Sequence, residues 1–143
     1  MRPADRAGPR RRGLVPAAVL ILALSGLAAG CSSSKPAYCT DASQLKTSVQ
    51  DLGNVDVAKN GLGSLQTALS SVQADAKTFA ADGKSAFPSQ TAALSTALSG
   101  LQAAVTSAKG QPPLTAATAV ASSVTQVKNS TNALQSAASG NCQ

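Results

Sequence analysis

Residues 62–79, Leu-Gly-Ser-Leu-Gln-Thr-Ala-Leu-Ser-Ser-Val-Gln-Ala-Asp-Ala-Lys-Thr-Phe, decide the fold of this 143-residue chain. Apolar residues recur there at alternating steps of three and four, a heptad spacing that places them on one face of an α-helix. A helix with one apolar face must bury that face against other elements, so the stretch predicts a helix of a bundle. The stripe consists of Leu62, Leu65, Leu69, Val72, Ala76 and Phe79.

The same spacing recurs elsewhere, and no segment shows the sustained period-two alternation typical of a strand. We therefore predict an all-α protein, a small antiparallel up-down four-helix bundle with heptad packing. The further stripes are a short one at Leu45, Val49 and Leu52, and two long ones at Leu94, Leu98, Leu101, Val105 and Ala108, and at Val120, Val124, Val127, Thr131, Leu134 and Ala138.

Turn and cap residues predict where the helices begin and end. Asp41 with Gln44 three residues later resembles a capping box, which would start the first helix, and Gly53 would end it. Val55 and Ala58 extend the second stripe backwards, so the second helix has two candidate starts. The other predicted bounds are about Gly61 to Asp82, Pro88 to Gly110 and Leu114 to Ser139.

Two of the predicted helices share a sequence pattern. Residues 65–76 and 94–105 both contain Leu-x-Thr-Ala-Leu-Ser-x-x-Gln-Ala. Either an internal duplication or the bias toward Ala, Ser and Thr would produce this similarity.

The first 31 residues follow the order of a secretory leader. Five arginines stand among the first 12 residues, an apolar run occupies residues 14–27, and Leu27-Ala28-Ala29-Gly30-Cys31 follows. This arrangement resembles the signal peptide and lipobox of bacterial lipoproteins. The resemblance implies cleavage by signal peptidase II between Gly30 and Cys31, and a diacylglycerol on Cys31. It divides the chain into a signal peptide (1–30), a membrane-proximal tether (31–38) and a helical bundle domain (39–143).

Two alternatives to the lipobox remain open, as does the export route. Cys31 would be a plain thiol if the leader were an ordinary secretory one, and residues 14–29 would stay as a membrane helix if cleavage did not occur. Arg11 and Arg12 also resemble the twin-arginine export signal. Apart from the leader, the Ala, Ser and Thr bias resembles that of small actinobacterial lipoproteins of unknown role. That likeness implies an extracytoplasmic protein, anchored by lipid in the outer leaflet of the cytoplasmic membrane.

If Cys31 carries lipid, Cys39 and Cys142 remain in a compartment that permits disulfides. We expect them to be joined, with two free thiols or an intermolecular pair as the alternatives. An even number of antiparallel helices brings both ends of the domain together, whereas three helices of about 20 residues would leave the ends about 30 Å apart. The same parity places the turn at residues 82–87 at the disulfide end.

Composition excludes several classes of protein. Five arginines and Asp5 give the leader +4 of the +6 net charge, so residues 31–143, with seven Lys and five Asp, carry only +2. They contain no Arg and no Trp, so nucleic-acid binding is not expected. No His and no Glu occur in the chain, which argues against a metal site and against triads that require His. Ser43 and Lys46 match S-x-x-K, but the other elements of penicillin-binding enzymes are missing, so we expect no catalytic site and no cofactor.

Together these features predict a non-enzymatic, membrane-anchored cell-envelope lipoprotein that serves as an interaction or structural module. The tether spans at most about 25 Å, so the disulfide end would lie near the membrane. The loops at 53–62 and 109–113 would then face an envelope protein or wall polymer. Three scattered lysines are Lys46, Lys59 and Lys109. They would either attract anionic polymers weakly or simply be part of the solvated surface.

The alternative is a small-molecule-binding lipoprotein that holds an apolar ligand between its helices. A cavity of roughly 300 Å3 or more lined by stripe residues would favour the ligand-binding alternative. A solid core with an exposed apolar patch near Val55 and Val57 would favour the interaction module.

Overall fold

The computed structural model describes residues 34–143, which form four α-helices and no strand. The predicted all-α four-helix bundle is therefore confirmed. The predicted leader and lipobox, including Gly30 and Cys31, lie outside the described residues. The helices are α1 (Ala37–Gly53), α2 (Val57–Gly83), α3 (Pro88–Ala108) and α4 (Pro113–Ser139).

Connections of a few residues make consecutive helices antiparallel. Each helix packs against its neighbours in sequence, and α4 also packs against α1, which closes the bundle. The cross-section is skewed, because α2 and α4 contact each other across the diagonal while α1 and α3, both fully described, do not. None of the described helices is long and apolar enough to cross a membrane.

The predicted stripes form the core. Leu65, Val72 and Phe79 of α2 are almost completely buried, and the stripes of α1, α3 and α4 meet them in one continuous cluster. Alanines are part of this cluster, and their small side chains let the helices approach closely. Thr131 of α4 is the one stripe position with a polar side chain, and it is also buried.

The prediction that α1 begins at Asp41 is wrong, because the helix begins one turn earlier, at Ala37. Pro36 precedes the first turn, and its carbonyl accepts a hydrogen bond from the Cys39 amide at 2.9 Å. Packing of Tyr38 and Cys39 at this end of the bundle extends the helix past the predicted cap. Asp41 lies in the second turn and is buried. Ala37 and Tyr38, assigned to the tether, are thus helical.

Both candidate starts of α2 correspond to features of the structure: the helix begins at Val57 and is interrupted at Gly61. The Asp56 carboxylate caps the helix by accepting a hydrogen bond from the Lys59 amide at 3.0 Å. Gly61 then interrupts the helix with φ 75° and ψ 175°, a backbone conformation that a residue with a side chain rarely adopts. A single turn therefore precedes Gly61, and the regular helix with the heptad stripe follows it.

Candidate functional site

The disulfide end of the bundle is closed by the two predicted cysteines. Cys39 in the first turn of α1 is joined to Cys142 after α4, with their Cα atoms 5.6 Å apart. This confirms the expected intramolecular bridge.

An aromatic cluster covers the core at the same end. The Tyr38 ring lies edge-on against Phe87, with ring centroids 5.2 Å apart, and Phe87 lies 6.2 Å from Phe79. Gly83 sits directly over Phe79, where an added Cβ would lie only 2.7 Å from the Phe79 ring. The turn between α2 and α3 is thus held at the disulfide end, as helix parity predicts.

Three acidic side chains lie along the interface of α1 and α2. Asp75 accepts a hydrogen bond from the Ser48 hydroxyl of α1. Asp41 is buried, and its Oδ2 atom has no hydrogen-bond partner. Burial, with the nearby charges of Asp82 and Asp75, raises the pKa of Asp41 above its ordinary value. No group of three or more potential metal ligands is arranged around an ion site anywhere in residues 34–143.

The last third of α2 separates its charges by sign. Asp75 and Asp82 are seven residues apart, about two turns, and both lie toward α1. Lys77 and, just past the helix end, Lys84 have the same spacing, and both line a groove between α2 and α3. Asp75 and Asp82 therefore face α1, whereas Lys77 and Lys84 border the opposite interface.

The groove between α2 and α3, called the α2–α3 groove below, has a volume of about 570 Å3. The buried side chains of Leu94 and Leu98 lie at its base, and small residues such as Ala80 form its walls. Gln73 and Gln102 close one end by a side-chain hydrogen bond of 3.0 Å. None of the described residues that line the groove is acidic. The volume exceeds the 300 Å3 set as the criterion for the ligand-binding alternative, but only Ala76, Leu94 and Leu98 of the lining belong to the heptad stripes.

A second cavity, of about 350 Å3, lies at the distal end of the bundle, where the α1–α2 connection meets α4. Val55 is half-buried there and Val57 is buried, so these two residues do not form an exposed apolar patch. Leu114, at the start of α4, is the only large hydrophobic side chain that is mostly exposed among residues 34–143, with 73% of its surface accessible.

The lysines singled out from the sequence are not the ones that the fold brings together. Lys46, Lys59 and Lys109 are exposed and line neither cavity. The lysines that line the groove, Lys77 and Lys84, are not among those singled out from the sequence. Their seven-residue spacing beside Ala76 and Ala80 was a readable signal, since it places both lysines on one edge of the apolar face.

Ser43 and Lys46, the S-x-x-K pair, lie on the exposed surface of α1. The Ser43 hydroxyl donates a hydrogen bond to the Cys39 carbonyl one turn earlier, at 3.1 Å. Other Ser and Thr side chains of this bundle make the same bond to the preceding turn, so Ser43 follows the general pattern of serines in helices.

Comparison with protein-family models, with curated proteins and with solved structures finds no match to this chain.

Proposed function

We propose that this protein is a lipid-anchored component of a bacterial cell envelope, and that its bundle is a non-enzymatic interaction or structural module. The observation that carries the proposal is the lipobox at residues 27–31, placed only six residues before the start of a disulfide-closed bundle. A diacylglycerol has two acyl chains, and two chains anchor a protein stably where one holds only marginally. The absence of His and Glu from the sequence supports a role without catalysis.

The short tether favours one orientation of the bundle. From Cys31 to Ala37 the chain reaches at most about 20 Å, so the disulfide end would lie beside the membrane. The distal end would then be displayed to the envelope, with the connections at residues 54–56 and 109–112. Leu114 and the distal cavity beside Val55 offer apolar surface there for an envelope protein or wall polymer.

Anchoring and display are tested together in intact cells. The wild-type chain should be retained in the membrane fraction without residues 1–30, and the Cys31→Ser variant, which has no thiol to carry the lipid, should lack the lipid and keep residues 1–30. A photoreactive amino acid at Leu114 should give a discrete crosslinked product, whereas the same group at Thr96, exposed on the side of α3, should not. A Cys31→Ser variant that is cleaved like the wild type would refute lipidation at Cys31. Equal crosslinking at both positions, or none at Leu114, would refute the distal surface.

The α2–α3 groove favours a second candidate function, a lipoprotein that holds a small molecule with an apolar part between its helices. Its volume of about 570 Å3 lies within the usual range of ligand sites. A ligand bound there would raise the thermal unfolding temperature of the protein. A screen of apolar and amphipathic compounds by thermal shift, with no stabilising compound found, would argue against this function.

A further inference from the structure

We propose that the α2–α3 groove binds a single-chain anionic amphiphile, with the hydrocarbon chain along the groove and the carboxylate or phosphate at Lys84. The inference rests on the second candidate function, ligand binding between helices, and it is independent of the lipid on Cys31. The juxtaposition that carries it is a mainly apolar trough, with polar Thr91, Ser95 and Ser99 on its α3 side, in which the charged lining among residues 34–143 consists of two lysines.

The dimensions of the trough match one hydrocarbon chain. Gln73, at the closed end, and Lys84, at the other, are 11 positions apart along α2. At 1.5 Å per residue this distance is about 16 Å. One leaflet of a bilayer has a hydrocarbon depth of about 15 Å, half of the 30 Å core. A single acyl chain therefore fits between the hydrogen-bonded glutamines and the turn that follows α2.

The walls of the trough suit a chain of methylene groups. Leu94 and Leu98 at the base present carbon to the groove, and Ala76, Ala80 and Ala92 leave the space that larger side chains would fill. The stems of Lys77 and Lys84 add apolar surface along the wall of α2, since lysine side chains cover apolar surface while their ammonium groups stay in water. Burying an alkyl chain there removes apolar surface from water, which favours binding.

The charges of α2 select an anionic headgroup. None of the described residues that line the trough carries a carboxylate, and Asp75 and Asp82 of the same helix lie toward α1 instead. Lys84 is at the end opposite the two glutamines and would contact the headgroup directly, while Lys77 adds positive potential two turns away. If the protein is anchored as proposed, the Lys84 end lies on the membrane-proximal side, where amphiphiles are supplied.

The test uses the full chain as it is recovered from cells, in phosphatidylcholine nanodiscs if it is membrane-bound and in buffer if it is soluble. The probes are a diazirine-bearing 16-carbon fatty acid, the corresponding lysophosphatidate and the neutral methyl ester of the fatty acid. Crosslinked peptides are mapped by mass spectrometry. We expect labelling within residues 73–102 by the two anionic probes, with the stronger one identifying carboxylate or phosphate as the preferred group.

Matched variants separate charge from shape. Exposed ion pairs contribute up to about 1 kcal/mol each, so Lys77→Gln/Lys84→Gln should lower anionic labelling about tenfold, with the larger share from Lys84. Lys46→Gln/Lys109→Gln removes the same charge outside the groove and should change labelling less than twofold. Ala92→Phe should fill the trough and abolish labelling, and circular dichroism establishes that each variant is folded.

Two results would overturn the inference in different ways. Equal labelling by the neutral ester, or no effect of the lysine pair, would show that the headgroup is not anionic while leaving ligand binding in the groove intact. Labelling that is absent, or that maps outside residues 73–102, would refute both this inference and the second candidate function. Because both lysines are exposed, the lysine variant decides the outcome even if Ala92→Phe fails to fold.

Discussion

Cys39 and Cys142 are separated by 103 positions in the sequence, yet their Cα atoms lie 5.6 Å apart and a disulfide joins them. The bridge ties the first turn of α1 to the residues that follow α4, so nearly the whole bundle lies within the closed loop. Such a loop restricts the unfolded chain far more than it restricts the native one.

Removal of the disulfide should destabilise the bundle strongly. For a loop of about 100 residues, the chain-entropy model gives up to about 4.7 kcal/mol, so the free energy of unfolding of Cys39→Ser/Cys142→Ser should fall by several kcal/mol. Urea denaturation of the variant and of the oxidised wild type measures the difference. Wild-type protein in reductant is the control and should match the variant, and an unchanged midpoint would contradict the role given to the bridge.

Stability should depend on pH through Asp41. Its pKa is raised in the folded bundle by burial and by Asp82 and Asp75, so the unfolded state loses this proton first as the pH rises. The contribution is favourable near pH 4, at about the ordinary pKa of an aspartate, and is lost as the pH rises through the folded-state value.

Asp41→Asn should therefore gain stability relative to the wild type as the pH increases from about 4 to 7. Urea denaturation across that range gives the two curves. Asp51→Asn, an exposed position on the same helix, is the control and should leave the pH dependence of stability unchanged. Parallel curves for Asp41→Asn and the wild type would show that Asp41 does not carry the effect.

Two glycines in the bundle should respond to alanine in opposite directions. At Gly83 the new Cβ would overlap the Phe79 ring, whereas at Gly100 no atom of the surroundings lies within 4 Å. Gly83→Ala should lower the free energy of unfolding by about 1 to 3 kcal/mol through overpacking. Gly100→Ala should raise it by up to about 1 kcal/mol through helix propensity. Thermal unfolding of both variants gives the signs, and a stabilised Gly83→Ala would refute the close packing on Phe79.

Thr131→Val should stabilise the core. The Thr131 hydroxyl is buried and has no hydrogen-bond partner, and an unsatisfied buried group costs about 1 to 3 kcal/mol. Valine has nearly the same shape, so the expected gain is about 1 kcal/mol. Thr118→Val, which removes an exposed hydroxyl bonded to the Leu114 carbonyl, should change stability little. If the two substitutions changed the free energy of unfolding equally, burial of the Thr131 hydroxyl would not explain the gain in stability.

The heptad stripes made the helices and the core predictable, because an apolar face repeated over several turns has to be buried whatever its partners are. Leu65, Val72 and Phe79 are buried as expected. The start of α1 could not be read in this way. A capping box at Asp41 is a local signal, and it lost to the packing of Tyr38 on Phe87 and the bridge at Cys39, both contacts with distant parts of the chain.

The α2–α3 groove could not be predicted from the sequence. Lys77 and Lys84 have a spacing that placed them on one side of α2, but the volume beside them depends on how far α2 stands from α3. Helix α2 also contacts α4 across the diagonal, so its distance from α3 depends on how all four helices pack. The distance between two helices depends on the packing of the whole core, so no local sequence pattern in α2 or α3 predicts it.

The intact mass of the protein from the membrane fraction tests the central claim, that Cys31 anchors this bundle to a membrane. We predict a chain that begins at Cys31 and carries the added mass of a diacylglyceryl group, with peptide mapping placing that mass on Cys31. An unmodified chain recovered in soluble form from wild-type cells, or one that retains residues 1–30, would contradict the claim.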